Sequence, residues 1–457
     1  MAADAFGEKS AATVGLIATA LGTLVALGTF PDNPAPQGAL TWNATVLTVG
    51  ILFVPVIRVI RRSPSMMNTE NFVAFGFVYW VLFDLIQGAY SLGDATDASL
   101  EAALLAVGVS ASAMWLGAIG SPWPLPGWLK GIAARPLDQD TVRRLIPVCF
   151  FLGMLNYLYA VGFNISEMFS YLGENRWAAP WGRGQLGGWG SFIDQMPYFG
   201  YVLPSLTALV IVKRGFFKFE SLLSMGVTAI MLLFLSQGGG RRIIGVTVGA
   251  AIIVWVQAQP GMQVRKLVGS VVAVVALLWA MQFMLNIRTQ GYQSFIEDGS
   301  EYDYLHVDDN FLRLAQTMQI IPAERSYVYS QQVVFALIRP VPRVFWPGKP
   351  IDPGFDLPSI LGMKGVSLSS SIIGEWYITY GWLAMIFGGW LHGRLAVTAN
   401  QLRDLGRSAR NPIVFALSIM VLFSGMRSMQ DLVIMSYAII AWWGVNRLVA
   451  RRAYGPA

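Results

Sequence analysis

An all-α, polytopic membrane protein is the fold class this sequence predicts, and three observations carry it. Of 457 residues, 55% are hydrophobic and only 13% are charged, against roughly 25% charged in a soluble domain. The apolar residues fall in stretches of about 20, the length a helix needs to cross a bilayer. Lysine and arginine alternate between successive loops as membrane topology requires. So much apolar material excludes disorder. A single cysteine, Cys149, excludes a disulfide framework and a cysteine-rich metal site, and two histidines, His306 and His392, exclude a histidine cluster.

Twelve apolar stretches read as spans: 11–30, 42–60, 72–92, 100–119, 145–163, 193–212, 220–236, 242–258, 267–286, 372–393, 412–428 and 430–448. The first is longer than the core of a cleaved signal, so it reads as an uncleaved helix. The seventh and eighth are divided only by Gln237-Gly238-Gly239-Gly240-Arg241. Three regions follow: helices one to nine in 1–286, a large outer loop in 287–371, and helices ten to twelve in 372–457. Short helices lying on the membrane face over a cavity are expected in that loop, because long structureless loops are uncommon. No repeat, low-complexity tract or soluble domain is evident.

With the N-terminus cytoplasmic, 20 of the 32 basic residues fall on the inner side. The outer side opens with Asp32, then Asp94, Asp97 and Glu101. Both termini are therefore expected in the cytoplasm. The net charge of +6 reads as inner-leaflet anchoring, with no need for nucleic acid as a partner.

Twelve bases fall on the outer side: Arg176, Arg183, Arg241, Arg242, Arg288, Arg313, Arg325, Arg339, Arg343, Lys349, Lys364 and Arg427. Several mark helix ends. Arg241-Arg242 opens the eighth stretch after three glycines, Arg288 closes the ninth, and Arg427 lies between the eleventh and twelfth. Guanidinium forks match phosphate oxygens bidentately, and a helix N-terminus adds amide donors and a favourable dipole. The set reads as a phosphate clamp at the outer boundary. The alternative for each arginine alone is snorkelling and local pairing. The glycine run lacks the spacing of a nucleotide loop and faces a side without ATP. The energy for any reaction there comes from the substrate or from a gradient.

Arg339-Pro340-Val341-Pro342-Arg343-Val344-Phe345-Trp346-Pro347-Gly348-Lys349-Pro350 carries four prolines and three bases, which predicts stiff, non-helical backbone. In Ser369-Ser370-Ser371-Ile372-Ile373-Gly374-Glu375-Trp376-Tyr377, a glutamate enters the outer end of the tenth stretch. An ionisable group there is a functional candidate. These two motifs resemble the oligosaccharide repeat-unit polymerases of the O-antigen polymerase (Wzy) type. They cover some 45 residues, and the first 230 residues match nothing specific.

The resemblance implies a GT-C-like fold in a bacterial inner membrane and an inverting glycosyl transfer on its periplasmic face. The implied donor is a growing glycan on undecaprenyl pyrophosphate, and the acceptor is a single repeat unit on the same lipid. The product would be O-antigen or another surface polysaccharide. No cofactor is implied, and a chain-length regulator is a further protein partner. Pyrophosphate departure needs positive charge more than a proton. Arg241, Arg242 and Arg288 are the first candidates to bind it, then Arg339, Arg343 and Lys349, then Arg427. Glu375, Asp308, Asp309 and His306 are the candidates for general base.

His306-Val307-Asp308-Asp309 could in principle hold a divalent cation, but the reading goes against a metal. The plainer expectation is a helix cap at Asp308 or Asp309 before the run from Asn310. Asp84 lies inside the third stretch and Asp194 at the start of the sixth, and His392 reads as structural. Tyr171, Trp177, Trp181 and Trp189 share an outer loop where sugar stacking is conceivable. Competing functions are an O-antigen ligase leaning on His306, a transporter or flippase, and a structural subunit without chemistry.

Overall fold

A computed structural model describes residues 7–174, 178–181, 188–237, 240–259, 264–290, 304–341, 343–363 and 368–454. Among these residues the chain is helical and contains no strand. Eight helical segments are long and apolar enough to cross a membrane. They are α1 (Glu8–Gly28), α2 (Thr41–Ile60), α3 (Thr69–Ile86) and α4 (Asp97–Ile119), then, after the short α5 (Gly127–Ala133), α6 (Gln139–Ala160), α7 (Gly190–Arg214), α8 (Phe219–Gln237) and α9 (Arg241–Ala258). There follow α10 (Val264–Gln290), α11 (Asn310–Ile320), α12 (Gln331–Ile338), α13 (Ser371–Tyr380), α14 (Trp382–Ala409), α15 (Ile413–Gly425) and α16 (Met429–Tyr454).

Two large apolar cores divide the bundle, beside a smaller cluster around Ile321, Leu357 and Tyr377. One is built from α1 to α4 with Phe311, Ile372 and Met385. The other is built from α6, α7, α9, α15 and the middle of α16. The first is held tight by glycine: α4 packs along α14 where Gly117, Gly389 and Gly393 let the backbones approach. A Cβ at Gly117 would collide with the Trp390 carbonyl, and one at Gly393 with that of Met114. Such small-residue contacts take the place of hydrophobic driving force between helices in lipid.

Two expectations need correction. The tenth stretch, 372–393, is not one helix. It breaks at Gly381 (φ +64°, ψ −143°) into α13 and α14, and α14 runs on to Ala409. The segment after α10 does not simply lie over the membrane face either. Its helix α11 is sunk between α4 and α13, with Phe311, Leu314 and Ala315 fully buried. That places the Asp308-Asp309 end of α11 at the junction of the two cores, next to the starts of α9 and α16.

Candidate functional site

Asp84 anchors the site. It sits near the end of α3, just past a π-helical turn at Val78–Leu82, a distortion often found at functional positions. Its buried carboxylate accepts the Val307 amide at 3.0 Å and the Asp308 amide at 3.2 Å. It also lies 3.0 Å from Nδ1 of His306. Asn310 donates to the Trp80 carbonyl at 2.8 Å, and the His306 amide donates to Gln282 Oε1 of α10 at 3.1 Å. The segment 306–310 is thus held by α3 and α10.

Arg241 and Arg242 occupy the first two positions of α9. Gly240 precedes them and provides no side-chain cap. A cation there faces the positive end of the helix dipole, so the arrangement favours a nearby anion. Arg241 donates through both Nη atoms to the His306 and Val307 carbonyls, at 2.9 and 2.7 Å. Among the described residues it has no carboxylate at ion-pair distance. Arg242 donates to Asp431 at 2.6 Å and keeps 41% of its side chain exposed.

Arg427 lies between α15 and α16. It bridges Asp308 at 2.8 Å and Asp431 at 3.4 Å and is mostly buried. Burial pushes the Asp308 carboxyl up, but Arg427 outweighs it and, with Arg241 and Arg242, holds it below the usual carboxylate range. Asp309 goes the other way. Burial raises its pKa against the attraction of Arg313, and neighbouring Asp308 adds to the rise.

The start of α16 is capped twice. Ser428 Oγ accepts the Asp431 amide at 3.0 Å, and Glu375 of α13 accepts the Met429 amide at 2.5 Å. Ser369 Oγ donates to the Arg427 carbonyl at 3.0 Å, and the Ile372 amide to that of Met426 at 3.2 Å. The Ser369–Glu375 motif therefore grips the turn that carries Arg427.

Of the residues the sequence nominates, Arg241, Arg242, Arg427, His306, Asp308, Asp309 and Glu375 fall in this one region, whereas Arg339, Arg343 and Lys349 bond within their own motif. The arginines do not stand alone there. Four guanidinium groups (Arg241, Arg242, Arg313, Arg427) meet five carboxyl groups (Asp84, Asp308, Asp309, Asp431, Glu375), so the patch is nearly neutralised. The capping role expected of Asp309 is corrected. It holds the N-cap position of α11 without a side-chain cap bond, because its carboxylate pairs with Arg313 one turn on, at 2.7 Å from Nε. Sugar stacking by Trp181 is also displaced. Its ring is buried against Tyr157, Tyr171 and Phe234, and its Nε1 donates to Gln237.

The proline-rich motif closes on itself. Lys349 Nζ donates to the Arg339 and Val341 carbonyls, both at 2.9 Å, and Arg343 donates to the Lys349 carbonyl at 2.9 Å. Burial first, then Arg339 and Arg343, lower the Lys349 pKa. Arg288 lies in α10, but its side chain falls outside the described residues, as do Arg176, Arg183, Lys364, Gly238 and Gly239. His392 is buried, with Nδ1 2.8 Å from the Gly388 carbonyl.

Asp84 was legible as an acid inside a span, but not as the group that orders the 306–308 segment. Asp431 carried a signal that went unused: Ser428 three residues before an acid is a capping pattern, and Arg427 stands one helical turn before it. Compared with protein-family models, curated proteins and solved structures, the chain matches none.

Proposed function

We propose that this chain is a twelve-helix, GT-C-like glycosyltransferase of the bacterial inner membrane, with both termini cytoplasmic. It joins undecaprenyl-pyrophosphate-linked repeat units into a surface polysaccharide on the periplasmic face. The observation that carries the proposal is the convergence of Arg241-Arg242, Arg427 and His306–Asp309, from distant parts of the chain, on one half-buried polar site. The resemblance of the Glu375 motif supports it, because that motif is docked on the Arg427 turn.

In the reaction, an acceptor hydroxyl oxygen bonds to the anomeric carbon of the donor. The bond from that carbon to the lipid pyrophosphate oxygen breaks with inversion, and the pyrophosphate leaves as an anion. Arg241 and Arg242 receive it, since neither is saturated by carboxylates and they share a helix N-terminus. The hydroxyl proton passes to His306. Its Nδ1 lies 3.0 Å from Asp84, which orients the ring. Glu375 is less suited to be the base, because one of its oxygens is occupied by the Met429 amide.

Complementation of a deletion strain tests this, with surface glycans resolved by size. Arg241→Ala and Arg242→Ala are expected to leave single repeat units capped onto their carrier while the protein still inserts. Normal-length chains from both would sink the proposal. The His306–Asp84 contact favours a second reading, a ligase using the same donor with a different acceptor. Accumulation of long lipid-linked chains in the deletion strain would select that reading.

A further inference from the structure

A second built site lies far from this one. A cavity of about 600 Å³ opens between α5 and the far part of α16, lined by Trp128, Gly131, Ile132, Arg135, Trp443 and Arg447. Trp443 is 14 residues along α16 from Met429, about 21 Å at 1.5 Å per residue. This end of the molecule also carries Lys130 and Arg410, and the loop charges assign it to the cytoplasm.

The cavity walls are held in place. Asn411 donates to the Ile132 and Arg135 carbonyls at 2.9 and 3.1 Å, fixing the connection after α5. Arg135 donates to the Asn446 side chain at 3.2 Å. The Arg447 guanidinium lies 5.4 Å above the Trp443 ring, and Trp128 meets that ring edge-on at 6.5 Å. Among the described residues neither arginine has a carboxylate at ion-pair distance. No acid lines the cavity. Two uncompensated guanidinium groups thus face one space, where the outer site has paired nearly all of its charge.

We propose that this cavity binds a phosphate-bearing anion, with the headgroup of an anionic phospholipid of the cytoplasmic leaflet as its source. Arginine forks suit phosphate oxygens. Tryptophans sit at headgroup level in membrane proteins. Basic pockets between helices on the cytoplasmic side take lipid headgroups. Soluble phosphate shares the chemistry but leaves the two indole walls without a role.

Gly131 provides a steric test that leaves charge untouched, since a Cβ there would meet nothing within 4 Å. The full chain, purified in neutral detergent, is measured by native mass spectrometry with phosphatidylglycerol, with phosphatidylcholine, and with phosphatidylglycerol plus millimolar inorganic phosphate. Phosphatidylglycerol is expected to be retained over phosphatidylcholine. Arg447→Gln and Gly131→Leu are each expected to weaken its binding about tenfold, the scale of one charge-assisted hydrogen bond. Arg447 is exposed and lies over Trp443, so that variant is expected to keep the fold. Retention that survives inorganic phosphate identifies the lipid headgroup, whereas displacement overturns the lipid and leaves the soluble anion. Equal retention of both lipids, or no change in either variant, overturns the site.

Discussion

At the scale of the residue, the arginines of the site divide into two kinds. Arg427 is mostly buried between Asp308 and Asp431, so its removal strands Asp308, while Asp431 keeps Arg242. Breaking a buried pair in this way costs about 3–5 kcal/mol. Arg427→Ala is therefore expected to lower the unfolding temperature in detergent markedly. Arg242 is 41% exposed, and its buried partner Asp431 keeps Arg427 when Arg242 is removed, so the loss is nearer that of an exposed pair, about 1 kcal/mol. Arg242→Ala should unfold near the parent temperature yet lose chain extension. Equal unfolding temperatures for the two variants would remove this distinction. The Asp308 carboxyl, held low by Arg427 and its neighbours, adds an acid dependence. Because its folded pKa lies below the unfolded one, its stabilisation is complete above pH of about 4. It fades as pH falls through the folded value. Asp309, shifted upward, acts with the opposite sign, so Asp308→Asn should flatten the loss of stability below pH 4 measured by thermal unfolding.

At the scale of the element, the apolar runs made most helices legible, because backbone groups in lipid must bond within their own helix. The break at Gly381 was not legible. Glycine is tolerated inside membrane helices, and nothing in the pattern Tyr380-Gly381-Trp382 distinguishes a break from a plain helix. The tertiary setting decides it: the Tyr327 hydroxyl lies 2.8 Å from where a Cβ would stand, and ψ −143° at positive φ suits glycine alone. The π-helical turn before Asp84 was hidden for the same reason. Gly381→Ala is expected to destabilise by roughly 1–3 kcal/mol, read as a fall in unfolding temperature. Gly226→Ala, in α8 with open space around it, should instead gain about 0.5–1 kcal/mol. A fall of equal size in both would point to a general intolerance of alanine and not to the turn at Gly381.

At the scale of the whole molecule, the two polar ends are tied down separately. Glu70, at the start of α3, is buried and accepts from Arg58 at 2.9 Å, Asn68 at 2.9 Å and Asn400 at 2.8 Å. It joins α2, α3 and α14 at one end. Asp84 holds the 306–308 segment 14 residues further along the same helix, about 21 Å away. Sequence marks Asp84 as an acid inside a span, but not Glu70, which precedes the third stretch, nor the distant partners Asn400 and the 306–308 segment, which lie more than 200 residues away. A shared helix raises the question of whether the two ends respond as one. The groups share no partner, and sites so far apart add within about 0.5 kcal/mol. Glu70→Gln and Arg427→Gln are each expected to destabilise, and the double variant should show the sum in urea unfolding in detergent. An excess or deficit above 1 kcal/mol would show strain passing along α3 and would make the Glu70 network a determinant of the site around Arg427. Additivity would show that the Asp84–Arg427 cluster is set locally, by the meeting of α3, α9, α11 and α16.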